Sequence, residues 1–401
     1  IIVSSGNQNG GIKSLSSNSI ITNNGTIITQ NDSANAIYYT FPGSESTVIN
    51  NGIIVNEGLG SNGISATPGN TGSGLVINNG SITSKQGNSI GIVENGLSMT
   101  IINNGSIAMQ GSSSQAIASF GDSALIINSG TVTSSDDGID LDSAGSNDSA
   151  LINTGIISAA NKAIIAGSGD HTVTLGGGSK INGDIDLGGG VDTIIISSSE
   201  SSGRLLVSNT ENIIINPGAV GVVVGGNEIH IVDPTGFAAM SIGVSNLAKT
   251  LSVAINSKIS DSQNSNENGQ YWTKVFGSEF KKDSKGQYFA YDHDYDGAII
   301  GYEYEKNFGL IVGLSSGEIN TKAQSFKSNV KSVFIGGYKG LEIAESVFLN
   351  TNLIAGYEEY ENKRNVNDNI NGSGVASSTV DNLFFSPAIE IEKRIELHDI
   401  F

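Results

Sequence analysis

A six-residue phrase recurs along the first 160 residues and restricts this chain to folds built from repeated layers. It reads Thr22-Asn23-Asn24-Gly25-Thr26-Ile27, Ile49-Asn50-Asn51-Gly52-Ile53-Ile54, Ile77-Asn78-Asn79-Gly80-Ser81-Ile82 and Ile102-Asn103-Asn104-Gly105-Ser106-Ile107. Weaker copies follow at Ile127-Asn128-Ser129-Gly130-Thr131-Val132 and Ile152-Asn153-Thr154-Gly155-Ile156-Ile157. Successive glycines lie 27, 28, 25, 25 and 25 residues apart, the length of one solenoid coil. A second apolar position follows each copy, at Ile37, Ile64, Ile92, Ile117, Ile139 and Ile164. A third segment, such as Ala124-Leu125-Ile126-Ile127, is rich in residues that suit strands. Three short strands per coil predict a parallel β-helix, and the frame of a leucine-rich repeat is missing. The Asn two places before each Gly predicts a ladder of stacked amides, with Gly supplying a positive φ at the turn. After residue 166 the repeat passes into Gly-rich strands, and the solenoid is expected to end near Asp233-Pro234.

Composition divides the chain at the same place. Of 13 Phe, 11 Tyr and one Trp, only Tyr38, Tyr39, Phe41 and Phe120 precede residue 236. The net charge of −19 gives nothing to neutralise phosphates, so no nucleic-acid partner is expected. The absence of cysteine removes disulfides and thiolate sites. No run of about 18 apolar residues is present, which argues against a membrane helix and leaves a membrane β-barrel open. The chain begins Ile1-Ile2-Val3-Ser4 without a recognisable signal peptide, so the expectation is that an export signal was removed or that the chain is a piece.

From Phe237 to Ile259 the spacing turns helical, with Met240, Val244, Leu247, Leu251, Ala254, Ile255 and Ile259 three or four apart. A polar connector, Asp261 to Gly269, follows. Period-two strands then appear, in which Phe308, Leu310, Val312 and Leu314 share one face, as do Leu383, Phe385, Ile389 and Ile391. Tyr302, Tyr304, Tyr338 and Tyr357 are expected near strand ends as an interfacial girdle. A soluble β-sandwich would alternate in the same way.

The order of parts resembles a bacterial autotransporter of the type V secretion class. The resemblance rests on Asp233-Pro234-Thr235-Gly236-Phe237-Ala238-Ala239, on Tyr271-Trp272-Thr273-Lys274-Val275-Phe276-Gly277, on Tyr291-Asp292-His293-Asp294-Tyr295-Asp296-Gly297 and on Gly301-Tyr302-Glu303-Tyr304. It implies an all-β chain: a parallel β-helix passenger over 1–235, an amphipathic helix and linker over 236–269, and the N-terminal portion of an outer-membrane β-barrel over 270–401. The 131 residues from Tyr271 suffice for about six or seven strands, fewer than the family's twelve, so the barrel is expected to be incomplete here. Glu396-Leu397-His398-Asp399-Ile400-Phe401 does not read as a last membrane strand. Implied partners are outer-membrane lipid and the barrel assembly machinery for 270–401, and a host, surface or glycan ligand of unknown identity for the passenger. The implied role is adhesion at the cell surface.

Chemistry is thinly represented, and no catalytic residue, metal site or cofactor is nominated. Gly121-Asp122-Ser123-Ala124 is only faintly similar to a serine-hydrolase motif and has no partner His in the repeats. In Asp136-Asp137-Gly138-Ile139-Asp140-Leu141-Asp142, alternation places Ile139 and Leu141 inward and Asp140 and Asp142 outward. Asp136, Asp137, Asp140 and Asp142 are weak candidates for Ca²⁺ or glycan contact. They would be the catalytic carboxylates of the competing reading, an exported polysaccharide-degrading β-helix, although the basic residues such enzymes use on neighbouring coils are lacking. Asp192, in Gly188-Gly189-Gly190-Val191-Asp192, approaches the calcium-binding nonapeptide of β-rolls in a single copy.

Overall fold

Isoleucine repeated at coil spacing lands on its counterpart one coil away. Ile54, Ile82, Ile107, Val132, Ile157 and Ile181 pair successively in parallel register. Ile37, Ile64, Ile92, Ile117, Ile139, Ile164 and Ile185 do the same in a second ladder. Val48, Val76, Ile101, Ile126, Leu151, Val173 and Ile194 form a third. All are buried in one continuous core. Three parallel ladders wound by one chain are a β-helix, as the repeat predicts. In it each coil satisfies the backbone groups of the next.

This computed structural model describes all residues except 6–9, 41–44, 70–71, 143–147, 200–202, 263–268, 322–325 and 394–401. It divides into two units, Ile1–Asp233 with Val366–Gly374, and Pro234–Asn365 with Val375–Phe401. The terminal segment Glu396–Phe401 and most of the connector after Asp261 lie outside the described residues.

The asparagine ladder is present inside the first unit. Asn23 Nδ2 donates to Asn50 Oδ1 at 2.7 Å, Asn50 to Asn78 at 2.8 Å, Asn78 to Asn103 at 2.7 Å, Asn103 to Asn128 at 2.8 Å and Asn128 to Asn153 at 2.7 Å. All six asparagines are buried. A second, exposed row runs beside it through Asn24, Asn51, Asn79, Asn104 and Ser129. The expected reason for the glycines is corrected. None of the six repeat glycines has a positive φ. A Cβ at Gly105 would instead lie 2.0 Å from the carbonyl oxygen of Gly80, and one at Gly52 would lie 1.9 Å from that of Gly25. Glycine is required because successive turns stack backbone on backbone.

The parallel winding stops at the end of the solenoid. Gly203–Ser208 pairs antiparallel with Glu228–Ile231, which pairs antiparallel with Gly221–Val224. The contiguous N-terminal part of the first unit ends at Asp233.

The second unit opens with the helix Thr235–Ser262. Its stripe Leu247, Leu251, Ala254, Ile255 and Ile259 packs on Tyr295, Ile299, Ile311, Phe334, Tyr338, Ile354 and Phe384. A Cβ on Gly243 would meet the His293 ring at 2.8 Å, so glycine there admits the close approach of helix to strand. Thr235–Asp261 is long and apolar enough to cross a membrane by length and composition, with mean hydropathy 1.3, which corrects the expectation that no such segment exists. Its apolar stripe is nonetheless covered by the strands of its own unit. Six strands follow, Gln270–Lys282, Tyr291–Glu305, Phe308–Thr321, Phe326–Ala344, Val347–Asp368 and Gly372–Lys393. The first five are paired antiparallel in sequence order.

Asn103→Ala leaves the Asn78 donor and the Asn128 acceptor without their partner, at about 1–3 kcal/mol for each buried group left unpaired. Gly105→Ala forces neighbouring coils apart. Urea unfolding should show both variants less stable than wild type, while Asn104→Ala on the exposed row costs well under half as much as Asn103→Ala.

Candidate functional site

The carboxylates singled out in the sequence are mostly enclosed, which corrects the outward placement of Asp140 and Asp142. Both are buried, as are Asp137 and Asp192, and only Asp136 keeps intermediate exposure. The reason is local geometry. The strand Ile139–Asp140 is two residues long, too short to sustain alternation, and the Asp140 carboxylate turns back to accept the Asp142 N–H at 3.2 Å. Its other oxygen accepts Gln115 Nε2 at 3.4 Å. Asp137 Oδ1 accepts Asn161 Nδ2 at 2.9 Å and the Lys162 N–H at 3.2 Å. Asp136 Oδ1 accepts Asn161 Nδ2 at 3.4 Å. These contacts join one coil to the next. Among the described residues no group of three or more His, Asp or Glu side chains is arranged to hold a metal ion.

Asp192 belongs to a column that sequence spacing conceals. The Ala124 N–H donates to Ser149 Oγ at 3.2 Å, the Ser149 N–H to His171 Nδ1 at 3.3 Å, the His171 N–H to Asp192 Oδ1 at 2.7 Å and the Asp192 N–H to Glu211 Oε2 at 2.8 Å. Each side chain accepts a backbone donor of the preceding coil. Burial raises the Asp192 pKa above the ordinary carboxylate value; the His171 N–H and the His171 ring oppose this, while the charges of Glu211 and Asp170 add to the rise. Although the column contains Ser, His and Asp, His171 Nδ1 is committed to a backbone amide, so the imidazole does not activate Ser149. Ser123 sits in an exposed turn with φ 56°. The column was not read from the sequence because its spacings of 22, 21 and 19 residues break the repeat of 25.

Glu94 was also missed. It is fully buried on the second ladder, accepts a hydrogen bond from Ser119 Oγ, and accepts the Gly96 N–H at 3.0 Å. Burial raises its pKa, the hydrogen bonds from Ser119, Gly96 and Gly121 oppose this, and the charge of Asp122 adds to the rise.

The faces of the strands in the second unit carry the functional information. Leu310, Val312, Leu314, Val333, Ile335, Leu353, Leu383, Phe385, Ile389 and Ile391 all face outward, with Ile335 64% and Leu383 81% exposed. The opposite face is buried and contains His293, Glu303, Ser315, Ser328, Ser332, Asn350, Asn352 and Glu358 beside the apolar residues that meet the helix. Polar contacts hold the helix there. Tyr295 OH donates to Asn246 O at 2.7 Å, Ser252 Oγ donates to Asn352 Oδ1 at 3.1 Å, and Lys258 Nζ lies 3.3 Å from Glu303 Oε2. A soluble sandwich places its apolar face inside, whereas these strands place theirs outside. Tyr271, Tyr302, Tyr304 and Phe308 form successive ring contacts at the strand ends, with Tyr271–Tyr302 centroids 4.8 Å apart. Tyr338 is removed from the expected girdle: it is buried, accepts Trp272 Nε1–H at 3.0 Å and donates to Glu303 Oε2 at 3.2 Å.

An apolar exterior, an interior in which polar groups lie beside the apolar residues that meet the helix, and long antiparallel strands are the features of an outer-membrane β protein. Residues 271–401 match the family described as Autotransporter, autotransporter beta-domain. No curated protein and no solved structure matches the chain. With a β-helix and a helix preceding that domain, the order of parts fits an autotransporter. Such a domain implies anchoring of the C-terminal strands in the outer membrane, with the β-helix displayed at the cell surface.

Because the folded-state pKa of Glu94 is raised above 4.5, the folded solenoid holds its proton more tightly than the unfolded chain does. The stabilising effect of that proton is fully present below about 4.5 and is lost as pH rises through the folded-state value. Glu94→Gln should therefore be more stable than wild type at pH 8, and the difference in urea midpoint should shrink toward pH 5. A difference constant across that range would contradict the assignment.

Proposed function

We propose that the solenoid acts as an adhesin, a rigid contact surface carried outside the cell by the C-terminal domain. The supporting observation is the state of the candidate carboxylates. Asp137, Asp140 and Asp192 engage side chains or backbone amides of their own or neighbouring coils, so these groups serve stacking. The repeated coils with their exposed row of amides present an extended surface suited to many weak contacts in parallel. A glycan or Ca²⁺ contact at the Asp136, Asp137, Asp140 and Asp142 cluster would enter through Asp136, the one with appreciable exposure. The outer-membrane barrel assembly machinery is the expected partner of the strands, since insertion requires every strand edge to be paired.

The test uses Gram-negative cells expressing the protein from its full reading frame. External protease should remove the repeats, leave a membrane-bound remnant beginning between the helix and Tyr271, and abolish adherence of the cells to glycan- or matrix-coated surfaces. Simultaneous Ala replacement of Asp136, Asp137, Asp140 and Asp142, in protein that still reaches the surface, should leave adherence within about twofold, as expected for binding spread over many weak contacts. Polysaccharide cleavage by these cells, lost in the fourfold variant, would overturn the reading in favour of an enzyme.

A further inference from the structure

The unit that contains the solenoid also contains Val366–Gly374, the turn joining the strands Val347–Asp368 and Gly372–Lys393. This segment occupies a gap in the coil stack. The first ladder runs through Ile157 to Ile181 in Lys180–Asn182, and among the described residues no later coil pairs with that stretch. The next strand rejoins only further along, at Ile185 with Val207 and Asp186 with Ser208. An open ladder edge of this kind exposes donors and acceptors to any passing strand.

Residues 367–369 satisfy that edge. Asn367 Nδ2 donates to Ile181 O at 3.2 Å, and the Gly183 N–H donates to Asn369 O at 2.6 Å. On the other side, Gly203 and Arg204 pair in parallel with Asn367 and Asp368. The Asn369 side chain behaves as an extra peptide group: its Oδ1 accepts the Leu206 N–H at 2.8 Å, while its Nδ2 donates to Leu206 O at 2.8 Å and to Gly183 O at 3.2 Å. Asn369 is 1% exposed, unusual for the tip of a turn. Arg204 Nε lies 3.1 Å from Asp368 Oδ2. The receiving side is shaped to match, since a Cβ on Gly203 would sit 1.9 Å from the carbonyl oxygen of Asn367.

We propose that this turn is the terminal rung of the solenoid, a cap carried by the C-terminal strands that closes the coils around Ile181, Gly183 and Leu206. A solenoid needs its ends covered, and repeat proteins commonly use an atypical last repeat for this. Here the covering residues come from more than 150 positions further along the chain. The last coils therefore close fully only once the turn is in place. Without it they offer an open edge to a strand from another copy of the chain.

The absence of native cysteine makes the test direct. Paired strands lie about 4.8 Å apart, within the Cα separation a disulfide accepts. Arg204→Cys with Asp368→Cys in the full chain should cross-link under mild oxidation and migrate faster on non-reducing gels. In separate samples, Asn369→Ala and Gly203→Ala should each speed hydrogen exchange at the Gly183 and Leu206 amides by about tenfold or more, the scale of one buried hydrogen bond lost. Exchange at Ile101 and Ile126, in distant coils, should not change. If Asn369→Ala disturbs membrane insertion, Gly203→Ala, which leaves the turn sequence intact, still reports on the contact. Failure to cross-link, or unchanged exchange at both amides in the variant that inserts, would overturn the proposal.

Discussion

Both halves of this protein solve one problem, which is that every strand must give its backbone donors and acceptors to a neighbouring strand. In the solenoid the neighbour is the same strand one coil later, and in the second unit it is the next strand of an antiparallel sequence. Outside the cell water can satisfy a loose edge, but in hydrocarbon it cannot, so strand pairing there is obligatory. The rest follows from this. In-register pairing stacks Ile on Ile and Asn on Asn, while the turn glycines let backbone lie against backbone.

In-register stacking also explains the solenoid's buried polar columns. A polar side chain between two coils meets the backbone groups of its neighbours, and Ser149, His171, Asp192 and Glu211 each accept such a donor. These hydrogen bonds tie each coil to the next. Glu94, on a different ladder, is costly, since burial works against its charge.

Much of the architecture was legible in the sequence, because the Asn-Gly phrase and the isoleucines recur locally and at a fixed distance. Helical spacing from Met240 to Ile259 marked the residues that pack on the strands, and alternation in Phe308–Leu314 marked the exposed face. What was misread depended on contacts between coils or strands. The turn glycines looked like a φ requirement and proved to be a close-approach requirement. Asp140 and Asp142 looked outward by alternation, but the two-residue strand there does not sustain it. Tyr338 resembled its girdle neighbours in sequence, yet its register opposite Gly309 places it inward beside Glu303. The cap by Asn369 could not be read at all, since no local pattern relates it to Leu206.

The central claim is that the strands of the second unit turn an apolar face to lipid and the opposite face to the helix. Single nitroxide labels introduced at successive positions from Val333 to Ile335, and at Leu353 and Ile354, test it directly in reconstituted membranes. Lipid-dissolved oxygen should relax labels at 333, 335 and 353 strongly and those at 334 and 354 weakly, following the exposed and buried faces. Uniform relaxation, or stronger relaxation of every label by a water-soluble reagent, would show that these strands do not face a bilayer.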